Sequence, residues 1–120
     1  MDEIPKPKYD LEERTYQFAK RVRAFVTVLP RTLSNFEDIK QLVTSSGSIG
    51  ANYIEANESL SKKDFALRIK ISRKESKESR YWLSLVNTGE RVELEKERGE
   101  LITVSTELMK VFGAILRKSE

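Results

Sequence analysis

The chain has 120 residues, 34% of them charged, with 22 lysines and arginines against 19 aspartates and glutamates for a net charge of +3, and it contains neither cysteine nor histidine. Lack of cysteine excludes disulfides, zinc knuckles and thiol nucleophiles, and lack of histidine removes the usual general base near neutral pH and the commonest metal ligand, so a metal site would need oxygen ligands alone. The length suffices for one domain burying roughly 65–70% of its unfolded surface, and three prolines and five glycines fit a helical protein better than a β-sandwich.

No apolar run is long enough to span a membrane, and the start MDEIPKPKYD lacks the apolar core of a signal peptide. The expectation is a soluble, cytoplasmic protein with no membrane partner. Pro5 and Pro7 predict an extended, flexible arm over residues 1–9. Asp10 and Glu13 then form an N-terminal capping pattern. Behind it Leu11, Phe18, Val22, Phe25, Val26 and Leu29 recur at helical spacing up to Pro30, predicting a first helix over 11–29.

Ser34 and Glu37 give a second capping box, followed by Phe36, Ile39, Leu42, Val43, Ser46, Ile49, Gly50 and Tyr53 at spacings of three and four. The period runs unbroken through SSGSIGANYIEANES, residues 45–59, a stretch with the composition of a loop. The surviving phase makes that stretch the second half of a second helix, although each glycine costs about 1 kcal/mol relative to alanine there.

Ser61 and Asp64 start a third helix whose inward stripe is Phe65, Ile69, Ser72, Ser76, Ser79, Leu83 and Val86, ending before an N87-T-G-E90 turn in which Gly89 takes a left-handed conformation. Leu94, Leu101, Leu108, Phe112 and Ile115 define a fourth helix from about Val92 to Lys118, with Gly99 and Gly113 as its weak points. Connections of a few residues between long helices imply antiparallel neighbours. The fold class is therefore all-α, an antiparallel up-down four-helix bundle forming one domain over 1–120, with no repeat, low-complexity tract or internal boundary.

Ser45, Ser46, Gly47, Gly50 and Ala51 on the second helix, with Ser72, Ser76 and Ser79 on the third, are expected to let those two backbones approach closely. Beside them Ser45, Ser48, Asn52 and Glu55 make a second, polar and short-chained stripe at spacings of three, four and three. It reads as a contact with another helix, in this chain or in a neighbouring subunit, against the alternative of an ordinary solvated edge. Asn52 and Glu55 are expected to be at least half-buried.

Most catalytic and cofactor chemistry finds no support. G47-S-I-G50 matches the backbone-clamping loop of KH domains, but no strand pattern surrounds it. A Walker-type loop would need a terminal Gly-Lys-Ser or Gly-Lys-Thr, and a di-iron bundle would need Glu-x-x-His pairs. Glu75 and Glu78 are better read as ion-pairing partners of Lys74, Lys77 and Arg80. No cofactor, no metal and no catalytic residue is expected, and the protein reads as non-enzymatic.

Charge is uneven. Over residues 61–87 eight basic residues oppose three acidic ones, a local net of +5. Lys70, Arg73, Lys77 and Arg80 share one helical face away from the serines, with Tyr81 and Trp82 near its end. A basic stripe of this kind is the footprint of a phosphate-backbone reader; the competing reading is the solvated face of a long helix.

The segments I49-G-A-N-Y-I-E-A56, S61-K-K-D-F65 and R73-K-E-S-K-E-S-R-Y-W-L83 resemble the small four-helix-bundle proteins encoded within intervening sequences of 23S ribosomal RNA genes, and the accessory proteins of diversity-generating retroelements look similar. The likeness covers nearly the whole chain and is most specific at Ser48, Asn52 and Glu55, while Gly50 and Ala56 depart from the proline and glycine usual in the family. The resemblance implies a homopentamer without enzymatic activity; its retroelement members bind nucleic acid and a reverse transcriptase. The leading expectation is thus a homo-oligomer that binds RNA or DNA through the basic face of the third helix. The alternative is a protein-interaction scaffold or accessory subunit that does not touch nucleic acid.

Overall fold

A computed structural model describes residues 7–119 and the side chains of residues 10–119. Four helices account for almost all of it: α1 (Pro7–Thr27), α2 (Leu33–Asn57), α3 (Lys62–Leu85) and α4 (Val92–Ser119). Of the arm expected over 1–9, residues 1–6 lie outside the described residues and residues 7–9 are already helical. Asp10 is accordingly a first-turn residue of α1 rather than its cap. Proline at the first helical position explains the difference, because its missing N–H would have had no intrahelical partner there.

The α2 cap also lies earlier than the capping box implied. Thr32 is in extended conformation and its Oγ1 accepts the Asn35 N–H at 3.1 Å, so the helix opens at Leu33. The α3 cap is where expected, with Ser61 Oγ accepting the Asp64 N–H at 3.0 Å. Gly89 has φ +68°, but it sits in the loop after α3 rather than directly at its end, followed by Glu90 at φ +61°.

Contacts run in opposite chain directions along every seam, which makes all four pairings antiparallel. On α1 and α4, Arg14 meets Glu107 and Arg21 meets Glu97 and Glu100. Ser45 meets Ser79 and Asn52 meets Arg68 across α2 and α3. Each helix packs on its two chain neighbours or, for α1 and α4, on each other, and the described helices make no diagonal pairing. The core is one cluster running from Leu11, Phe18, Val22 and Phe25 through Leu42, Ile49 and Tyr53 to Ile69, Leu83, Leu101, Leu108 and Phe112, with the Tyr53 and Phe112 rings tilted at 5.8 Å. Phe36, expected on the inward stripe, is exposed.

The small residues separate into two groups. Ser72, Ser76 and Ser79 are fully buried and let α2 and α3 close on each other: Ser72 Oγ donates to the Ile49 carbonyl at 3.0 Å, and the Ser45 and Ser79 hydroxyls lie 2.9 Å apart. The glycines of α2 face α1 instead. A Cβ on Gly50 would stand 2.8 Å from Oγ1 of the buried Thr15, and one on Gly47 would stand 3.2 Å from the Arg23 guanidinium. Ala51 is exposed and joins neither contact. Expecting all five small residues of α2 to face α3 is therefore wrong for the glycines and Ala51. Helical phase places them beside the core but does not say which neighbour lies there.

Candidate nucleic-acid interface

Spacings of three, four and three keep Lys70, Arg73, Lys77 and Arg80 on one side of α3 while Ile69, Ser72, Ser76, Ser79 and Leu83 hold the core side. All four line one open groove between α3 and α4, of about 850 Å³, together with Lys74 of α3 and Arg117 of α4. Ala66, Met109, Gly113 and Leu116 supply its apolar floor. Lys70, Arg73 and Lys77 are exposed, whereas Arg80 is half-buried and donates to Thr106 Oγ1 on α4 at 3.3 Å.

None of these six cations forms an ion pair with a described carboxylate. Glu97, Glu100 and Glu107 of α4 face α1 instead. Arg21 makes a two-pronged contact with Glu97, at 3.0 and 2.8 Å, and reaches Glu100 at 2.7 Å, while Arg14 meets Glu107 at 3.2 Å. Bonding to Glu97 outweighs the cost of partial burial and holds the Arg21 guanidinium more firmly protonated than usual. The groove thus keeps its positive field because no described carboxylate of α4 pairs with its cations.

Tyr81 and Trp82 do not join the groove. Their rings meet edge to face at 5.0 Å, and neither lines it. Glu75 and Glu78 form no ion pair with a described residue either, contrary to expectation. Glu75 is half-buried and shares the α2-facing side of α3 with Arg68 and Ser79. Burial raises its carboxyl above the ordinary range, Glu78 adds to the shift and Lys74 opposes it.

The polar stripe of α2 is divided. Ser45 is buried on Ser79, and Asn52 is half-buried, donating to the Ser48 carbonyl at 2.9 Å and accepting from Arg68 at 2.9 Å, so both belong to the α2/α3 seam. Ser48 is half-buried as well. Glu55, expected to be at least half-buried at a helix junction or a subunit contact, is exposed in the single chain, so the bundle by itself does not supply that contact. Glu55 sits at the outer edge of the stripe, where only another molecule would cover it.

Two polar residues that sequence reasoning passed over tie the bundle end together. Asn35, 1% exposed, donates to the carbonyls of Pro30 and Asn87 at 2.9 and 2.8 Å and accepts the Asn87 N–H at 2.9 Å, joining the α1–α2 and α3–α4 loops. Arg98 donates to the carbonyls of Leu83, Ser84 and Val86, capping the C-terminus of α3, and is held by Glu95, which also accepts from Thr88. Orphan carbonyls at a helix end are a favourable place for a cation. The only signal in sequence is an arginine nearly two helical turns beyond a loop, too common to single out. Among the described residues no three acidic side chains converge as a metal site would need, and no helix is long and apolar enough to cross a membrane.

Fold and groove define a class: a small all-α four-helix bundle with a cationic groove between two antiparallel helices. The chain belongs to the 23S rRNA-intervening sequence protein family, whose model it matches over residues 8–114. It is also similar to a crystal structure at 1.70 Å of a protein of unknown function from the S23 ribosomal protein family of Bacteroides thetaiotaomicron VPI-5482. That chain is 29% identical, with a TM-score of 0.78 over 92% of this chain and 97% of the other. No curated protein matches.

Proposed function

We propose that this protein is a non-enzymatic, homo-oligomeric bundle of the cytoplasm that binds RNA or DNA through the α3/α4 groove. The observation that carries the reading is the absence of ion pairs around Lys70, Arg73, Lys74, Lys77, Arg80 and Arg117 among the described residues. Long side chains on a merely solvated helix face usually find carboxylates one turn away; here six cations converge on one concave surface. Such a surface gains affinity by releasing counterions from a phosphate backbone.

Self-association, as the pentamer implied by the family resemblance, is supported by what α3 leaves uncovered. Leu67, Tyr81 and Leu85 are 54%, 57% and 49% exposed and fall on its outward side, beyond the groove. Exposed Glu55 and half-buried Ser48 lie along α2 where a neighbouring subunit would complete their contacts. Several copies would add their grooves, so weak contacts in one chain combine into useful affinity.

A second reading, a scaffold or accessory subunit for an acidic or RNA-bound partner protein, a reverse transcriptase among the candidates, is favoured by the apolar groove floor at Ala66, Met109 and Leu116. Titration of a labelled RNA duplex at two salt concentrations separates the two. Replacing Lys70, Arg73, Lys77 and Arg80 together with glutamine should weaken binding to unrelated sequences alike and flatten the salt slope by roughly one unit for each phosphate no longer neutralised. Lys96 and Lys110, exposed on α4 and outside the groove, serve as the control pair. Absence of binding at low salt rules out the nucleic-acid reading in favour of the scaffold. Light scattering on the same sample measures the subunit number.

A further inference from the structure

Gly113 lies inside α4, six residues before its end, where glycine is unfavourable, and packing does not require it. A Cβ built there would be 3.6 Å from Arg117 Nη1 and 3.7 Å from Arg73 Nε, ordinary contact distances, with nothing closer. Over this glycine two guanidiniums from different helices lie on the same patch of α4. Both reach within 4.0 Å of that one Cβ position, and neither has a described carboxylate partner. Two like charges held together without a counterion lack their natural complement, and a planar guanidinium is the side chain best suited to a phosphate oxygen pair.

We propose that Arg117 of α4 and Arg73 of α3 clamp one backbone phosphate across Gly113, and that the strand so held belongs to a duplex rather than to an unpaired chain. This rests on the nucleic-acid reading above and adds to it a shared role for two of the groove's cations and a class of ligand. Proteins that hold single strands stack the bases on aromatic rings, and no aromatic ring lines this groove. It also presents no Asn, Gln, Asp or Glu for reading base edges, only cations, one serine and an apolar floor. Such a surface positions a backbone without reading sequence. A duplex offers that ligand: phosphates outward, bases covered.

Fluorescence anisotropy with a labelled RNA duplex of roughly 20 base pairs and an oligo-uridine of the same length, at one fixed ionic strength, tests both parts. The wild type should bind the duplex about tenfold more tightly than the single strand. Arg73→Gln and Arg117→Gln should each weaken duplex binding by about tenfold. The double variant should lose clearly less than the product of the two, because both guanidiniums hold the same phosphate. Lys110→Gln should bind nearly as the wild type, and thermal melts should show Arg117→Gln folded, since Arg117 is exposed near the end of α4. If Arg73→Gln weakens binding and Arg117→Gln does not, or if Lys110→Gln weakens it equally, the clamp is wrong while the nucleic-acid reading stands. Tighter binding of oligo-uridine overturns the duplex assignment alone. If the wild type binds neither probe at low salt, the nucleic-acid reading fails and takes the clamp with it.

Discussion

The two seams of α4 use the same kinds of residue to opposite ends. Toward α1, Arg14 and Arg21 meet Glu97, Glu100 and Glu107, and each of these charges has a partner of opposite sign. Toward α3, six cations line a groove with no described carboxylate in reach. One end of that second seam is an exception: Arg98 is saturated by the carbonyls closing α3 and by Glu95. A positive side chain stabilises this fold only where an acceptor is supplied. Elsewhere its charge is left over for a ligand.

The largest test of that contrast is Arg98→Ala. It strips three backbone carbonyls and Glu95 of their donor, and charged hydrogen bonds of this kind contribute about 1.5–3 kcal/mol. A loss of that order in chemical denaturation is expected, against almost none for Lys77→Ala in the open part of the same seam. Equal losses would show that Arg98 is no more structural than the groove lysines. A smaller effect comes from the α1/α4 seam. Arg21→Gln should cost about 0.5–1 kcal/mol, the scale of a partly exposed ion network, and the cost should shrink in high salt. Lys70→Gln should be neutral or slightly stabilising at low salt, because it relieves repulsion among unpaired cations.

The finest distinction is between two glutamates. Thr88 and Arg98 hold the Glu95 carboxylate below its ordinary pKa. Its contribution is therefore present above the unfolded value and lost as pH falls through the depressed folded value. Glu75 is shifted upward by burial, so its protonated form favours the fold, and that advantage disappears as pH rises through the raised value. Glu95→Gln should lower the melting temperature at neutral pH, and Glu75→Gln should raise it. Both differences should vanish in acid below the carboxylate range. Shifts of the same sign for the two variants at neutral pH would contradict these environments.

How far these regions were legible in the sequence follows from what each contact depends on. Apolar spacing sets a helix's inward side by itself, so Leu42, Ile49, Ile69, Leu83, Leu101 and Leu108 were legible as core, and Ser61 was legible as a cap because its acceptor role spans only three residues. The shared face of Lys70, Arg73, Lys77 and Arg80 is likewise a property of one helix. What that face looks onto is not. Gly113 and Arg117 enter the groove through the register between α3 and α4, and Glu97 and Glu100 turn from it through the register between α1 and α4; no single-helix period contains either. Asn35 and Arg98 bind carbonyls 52 and 12 to 15 residues away, beyond any local pattern. For Glu55 a short polar stripe says that something packs there without saying whether it is the same chain, and the single bundle leaves that side chain exposed.

The contrast between the seams is tested most directly by removing the same amount of charge from each and measuring the salt dependence of RNA binding. One variant carries Lys70→Gln, Arg73→Gln and Lys77→Gln in the groove; the other carries Arg14→Gln, Lys20→Gln and Arg21→Gln on α1. A groove left open for phosphates predicts that the first flattens the slope of log affinity against log salt, by roughly one unit for each phosphate that goes without its cation, while the second leaves the slope of the wild type. Equal flattening in both would mean that the protein attracts nucleic acid by net charge alone and that the α3/α4 groove is no site.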